Sequence, residues 1–183
     1  MNQNIEKIIA LGFVVVLISA AWATTAFRDG PSEPIDDQTR REAPDFTRPL
    51  LSGPDFVLSE HRGKTVIVDF WATWCGPCEV QMPVLDAIWR HRDQGADDLM
   101  IIGVSVDTDP RAKIAAWVAE RGLEYPIVFA DHDLATRYGV IGYPTLFVID
   151  PDGGIHTQHV GVLSRPELEQ ILDEIRKEDR PLG

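Results

Sequence analysis

Cys75 and Cys78, within WATWCGPC (71–78), are the only two cysteines in a chain of 183 residues, with Gly76 and Pro77 between them. At the start of a helix this spacing has a definite chemistry. Unpaired backbone N–H groups and the helix dipole stabilise a thiolate there, so the first cysteine is expected to be the more acidic and the better nucleophile. Cys75 is that residue. Cys78, one turn further in, can attack the mixed disulfide formed by Cys75, release the product and leave an internal disulfide. The pair reads as a two-electron switch. A structural disulfide fits poorly, because a four-residue loop removes little denatured-state entropy compared with a long one. A structural zinc would need about four ligands, and one cysteine pair is present. His156 and His159 do not complete such a set, since strand residues an odd number apart face opposite ways. All five histidines (61, 91, 132, 156 and 159) read as surface or core residues. No cofactor or metal is called for.

Asp69 is the third candidate. It lies six residues before Cys75 in the otherwise apolar run VIVDFW (66–71), where desolvation is expected to raise its pKa and suit it to exchange protons with Cys78. The alternative is a buried acid satisfied by hydrogen bonds.

The elements that must position these groups follow from the flanking pattern. VIVDFW has the composition of a strand buried on both faces, with the cysteines at its end. Val80, Val84, Leu85, Ile88 and Trp89 then recur at helical spacing, with Pro83 as an expected kink. LMIIGVSV (99–106) reads as the next strand. Asp109 and Pro110 offer an N-cap and first residue for a helix carrying Ile114, Trp117 and Val118 and closed by Gly122. PIVFA (126–130) and TLFVID (145–150) read as short strands. Residues 150–154, DPDGG, form a turn into a strand at 155–160; they lack the ligand ladder of a calcium loop. Ser164 and Glu167 make a capping box before the stripe Leu168, Ile171, Leu172 and Ile175. Alternating strands and helices give an α/β sandwich.

Composition bounds the setting. Ile8 to Ala26 is a run of nineteen uncharged residues, long enough to span a bilayer. It reads as an uncleaved anchor, the alternative being a cleavable secretory signal marked by its eleven-residue apolar centre and by Ala21-Trp22-Ala23. Either reading exports the rest. Residues 1–27 are thus the anchor or signal, 28–42 a polar tether, and 43–183 one domain. The exported part carries all twelve excess negative charges, which argues against nucleic acid as a partner.

Taken together, VDFWATWCGPC, Pro83, GVIGYPT (139–145) and HVGVLSRPELEQIL (159–172) resemble the thioredoxin superfamily across residues 43–177. The exported amino-terminal segment, APDF (43–46) and the added piece before GVIGYPT are similar to membrane-anchored TlpA/ResA-type reductases. The resemblance implies a thioredoxin-like fold: a central mixed sheet flanked by helices, an extra β/α insertion before the cis-proline and an amino-terminal β extension. It implies that Pro144 is that cis-proline, packed beside Cys75, and that Trp74, Gly76, Pro77, Tyr143 and Gly161 form the substrate surface. It further implies oxidised client proteins, such as apocytochrome c or copper-site proteins, a CcdA/DsbD-type membrane thiol donor, and a monomer. Three positions depart from expectation: Asp69 itself, where many TlpA/ResA-type proteins carry Asn; Gln81, where they often carry Glu; and Gly103, near where thioredoxins place Lys.

CGPC has no His or charge between its cysteines, so its potential is expected nearer the roughly −270 mV of thioredoxin than the roughly −120 mV of strongly oxidising relatives. Reduction is the expected direction. The rivals are a thiol oxidase or isomerase, a copper-binding chaperone using both thiolates as soft ligands, and a peroxidase.

Overall fold

Strand β3 (Thr65–Trp71) occupies the centre of a five-stranded sheet in a computed structural model that describes residues 41–92, 98–130 and 132–179. All seven of its residues are buried, because strands flank it on both edges and side chains cover both faces. β4 (Leu99–Ser105) runs parallel to it, and β6 (Thr145–Ile149) antiparallel. β5 (Ile127–Phe129) extends the sheet beyond β4, and β7 (Ile155–Val160) beyond β6, giving the order β5-β4-β3-β6-β7.

Side-chain alternation along β3 divides the core in two. Ile67 and Trp71 face helix α1 (Gly76–His91) and helix α4 (Arg165–Glu178), packing with Met82, Leu85, Leu168 and Leu172. Val66, Val68 and Phe70 face the other way, towards Leu134 and Tyr138 of helix α3 (His132–Tyr138) and towards Phe46 and Phe56. Phe56 belongs to an antiparallel hairpin of β1 (Thr47–Pro49) and β2 (Asp55–Val57). This is the amino-terminal β extension. The Tyr138 hydroxyl ties it down by donating to the Pro44 carbonyl at 2.9 Å.

Most elements follow the sequence pattern. Helix α1 continues through Pro83 to His91. Gly122 closes helix α2 (Arg111–Glu120) at φ +62°, a conformation that L side chains rarely adopt. The α4 capping box forms, with the Ser164 backbone N–H and hydroxyl both donating to Glu167, which holds the Glu167 carboxyl below its ordinary range.

Two readings change. Pro110, not Asp109, is the N-cap of α2, and Asp109 instead pairs with Lys113 one turn on at 3.0 Å. Pro110 carries an extended ψ of 137°, so the first helical residue is Arg111. Helix α3 was not expected, since seven residues show barely two turns of periodicity.

The 150–154 turn forms as read: the Asp150 carboxylate accepts from the Gly154 N–H at 2.8 Å. Gly153 is required there twice over. Its φ is +89°, and a Cβ would fall 1.9 Å from Cζ of Arg62, whose guanidinium crosses the turn to reach Glu42. No helix among the described residues is long and apolar enough to cross a membrane. The anchor expected over residues 1–27 lies outside them.

Candidate active site

The carboxyl end of β3 delivers the chain into the cysteine turn. Cys75 is the N-cap of α1, with Gly76 and Pro77 as its first two residues, so Pro77 lies where a missing N–H costs nothing. Cys75 and Cys78 are joined in a disulfide. The backbone N–H of Cys78 points at the Cys75 sulfur, 3.2 Å away. This is an N-cap hydrogen bond with sulfur as acceptor, and it is the interaction that would stabilise a Cys75 thiolate once the disulfide opens. Cys75 is 6% exposed and Cys78 fully buried. The outer sulfur is therefore the one an incoming thiol or disulfide meets.

Trp74 is two-thirds exposed, and its ring meets Tyr143 edge to face at 5.7 Å between centroids. The Tyr143–Pro144 peptide is cis. The Pro144 carbonyl accepts from the Gly161 N–H at 2.8 Å, and the Thr145 hydroxyl donates to the Gly142 carbonyl at 2.7 Å. Trp74, next to Cys75 in the chain, is thus linked through Tyr143 and Pro144 to Gly161. Ile141, Val160 at the end of β7, and Val162 add exposed apolar surface.

Asp69 lies on the α1 face of β3, between Ile67 and Trp71, fully buried. Among the described residues neither carboxyl oxygen has a hydrogen-bond partner. Burial alone pushes its pKa from 3.8 to about 7. No side chain among the described residues satisfies the acid. Its neighbours in register are Gly103 on β4 and Leu146 on β6, neither of which brings a charge.

Three further features were missed in the sequence. Asp107 is buried just beyond β4 and accepts from the Thr73 N–H at 3.1 Å, the Thr73 hydroxyl at 2.6 Å and the Ser105 hydroxyl at 2.8 Å. It pins the chain two residues before Cys75. An acid directly following an apolar strand that ends level with the cysteine turn was the available signal. Gln81, one of the departures from the family pattern, accepts from the Leu163 N–H at 2.7 Å and ties α1 to the loop containing Gly161. Tyr125, buried before β5, packs against the same core cluster as the cysteines. Among the described residues no group of three or more His, Cys, Asp or Glu side chains is placed to hold a metal.

Comparison with known proteins agrees with this arrangement. The model of the AhpC/TSA family matches residues 39–158, and the chain belongs to that thioredoxin-like family. It is 30% identical over 173 residues to the thiol-disulfide oxidoreductase ResA of Geobacillus thermodenitrificans, covering 93% of this chain and 97% of that one. A putative thiol:disulfide interchange protein DsbE from Chlorobium tepidum superposes with a TM-score of 0.67 at 30% identity, over 74% of this chain and 96% of that one. The exposed lipoprotein thioredoxin Etrx1 of Streptococcus pneumoniae gives 0.61 at 30% identity, over 72% and 99%. The chain is a thiol-disulfide oxidoreductase of this thioredoxin-like type.

Two consequences can be measured. Because the folded Asp69 carboxyl binds its proton more tightly than the unfolded one, its contribution to stability is complete below about pH 4 and is lost as the pH rises towards 7. Asp69→Asn removes that loss, so between about pH 3.5 and pH 8 the oxidised variant should gain about 4 kcal/mol on the wild type. Urea denaturation across that range reads it, and parallel curves would contradict the burial argument. Asp107→Ala strands three donors and should cost about 3 kcal/mol while leaving Cys75 of the reduced protein less protected from alkylation. Denaturation midpoints and iodoacetamide rates, measured on the same sample, check both halves.

Proposed function

We propose that the protein is an extracytoplasmic disulfide reductase that passes two electrons from the Cys75/Cys78 dithiol to oxidised client proteins. The observation that carries this reading is the cysteine geometry: an outer sulfur capped by the Cys78 N–H, and a buried second sulfur one turn away. In the reduced protein the Cys75 thiolate attacks a client disulfide, forming a mixed disulfide and releasing one client thiolate. Asp69 then takes the Cys78 proton, directly or through water. The resulting thiolate attacks the Cys75 sulfur, the internal disulfide forms, and the second client thiolate leaves. Two electrons have moved to the client, and the Asp69 proton returns to solvent.

The surrounding residues divide the remaining work. Trp74, Gly76, Pro77, Tyr143 and Gly161 receive an extended client segment, while Pro144, lacking an N–H, presents no donor to the Cys75 thiolate. Residues 1–27 anchor the domain outside the cytoplasm, a reading supported by their apolar run and by the exposed-lipoprotein relative. A CcdA/DsbD-type membrane thiol donor recharges the dithiol, and the clients are apocytochrome c or copper-site proteins. Support for these partners comes from the resemblance to ResA-type reductases.

The full chain, supplied with dithiothreitol, should reduce insulin disulfides, and Cys75→Ser should abolish this. Cys78→Ala should hold clients as stable mixed disulfides that mass spectrometry identifies. Asp69→Asn should slow mixed-disulfide resolution about a hundredfold at pH 7. A glutathione equilibrium placing the potential near that of an oxidase, or rapid peroxide consumption without insulin reduction, would overturn the reductase reading.

A further inference from the structure

The face of the sheet that carries Asp69 holds buried polar groups with complementary needs. Among the described residues both Asp69 oxygens lack donors, while the Trp71 indole N–H and the Tyr125 hydroxyl lack acceptors. Both aromatic residues are almost wholly buried, Trp71 at 0% and Tyr125 at 2% exposure. A buried phenol without a partner costs about 1–3 kcal/mol, which phenylalanine would avoid.

Gly103 brings these groups together. It is the register neighbour of Asp69 on β4. A Cβ at Gly103 would lie 3.0 Å from Cε2 of Tyr125 and 3.1 Å from Nε1 of Trp71. Cε2 is bonded to the carbon that bears the hydroxyl. The missing side chain therefore lets the phenol end of Tyr125 and the indole N–H close onto the sheet directly beside the carboxyl. Among the described residues Gln81 on α1 leaves one more buried donor without an acceptor, its side-chain nitrogen, while its oxygen is taken by the Leu163 N–H. Asp86 on α1 is held by Arg90 and by the Glu124 N–H, and Ser105 is held by Asp107. Leu146 and the inward residues of α4 are apolar. Cys75 and Cys78 are the remaining titratable groups on α1 that share this core.

We propose that Tyr125 is a positioning residue for proton transfer at Asp69: seated across Gly103, its hydroxyl donates a hydrogen bond, directly or through one water, to the carboxylate whenever Asp69 is ionised. The Trp71 N–H is the second donor. This rests on the reading of Asp69 as the base for Cys78. The proton taken from Cys78 still goes to Asp69; Tyr125 keeps its own proton throughout and stabilises the form of Asp69 that can accept one. Consistent with this placement, the Asp69 charge is among the causes that raise the Tyr125 phenol, after burial itself.

The test is the titration of Asp69, followed by the chemical shift of its carboxyl carbon in the oxidised full chain, in wild type and in Tyr125→Phe. Loss of the donor should raise the midpoint by about one pH unit, leaving the carboxylate about tenfold less populated at a given pH below it. The pH profile of mixed-disulfide resolution should move by the same amount, while the alkylation profile of Cys75 stays in place. Tyr125→Phe should also destabilise the protein at about pH 9 and not at about pH 5. Coincident Asp69 titrations in the two proteins would overturn the proposal, as would a stability change equal at both pH values. A wild-type resolution rate in Asp69→Asn would instead remove the base reading, and with it the catalytic part of this inference.

Discussion

Burial of the Asp69 carboxyl in a strand bounded on both edges by other strands sets a condition that the rest of the site has to meet. Such a group is costly to ionise, and no cation among the described residues offsets that cost. The consequence is an acid whose proton affinity falls close to neutrality, on the same sheet face as the second cysteine. The strand that buries it also ends at the cysteine turn, so one element fixes both the acid and the start of that turn. Alternation along β3 then dictates the partition of the core: the redox face packs against α1 and α4, and the opposite face against α3 and the amino-terminal hairpin.

Positioning of Cys75 is shared among separate devices. The N-cap geometry of α1 directs a backbone N–H at its sulfur. Asp107 gathers Thr73 and Ser105 and so fixes the chain entering the turn. Gln81 holds the loop that follows β7, and the Gly161 N–H in turn holds the Pro144 carbonyl. The apolar rim of Trp74, Tyr143, Ile141, Val160 and Val162 is thereby carried on segments tied to the core. A surface that receives extended segments needs this rigidity, because ordering it at each encounter would subtract from affinity.

The three departures from the expected pattern acquire separate meanings. Asp69 restores a buried acid. Gln81, neutral and hydrogen-bonded through its oxygen, belongs to the scaffold. Gly103 makes room: with no side chain there, Tyr125 and the Trp71 indole nitrogen pack against the backbone where a larger residue would hold them off.

Much of this was legible in the chain itself, and for a physical reason. Strand β3, the cysteine turn, α1 and the α4 capping box are each specified by neighbours within a few residues, through apolar runs, helical spacing and capping chemistry. The chemistry of Cys75 and Cys78 was legible on the same terms, since a thiol pair one turn apart is a local arrangement. The N-cap of α2 was misplaced because Asp109 had two local partners, the helix start and Lys113, and it pairs with Lys113 while Pro110 keeps an extended ψ. Helix α3 was too short to show a period. Asp107 with Thr73, Gln81 with Leu163, and Tyr125 beside Asp69 across Gly103 join residues between 34 and 82 positions apart, or meet only once strands are in register. Such contacts leave no periodic trace, because they depend on which strand lies beside which, and tertiary structure alone decided them.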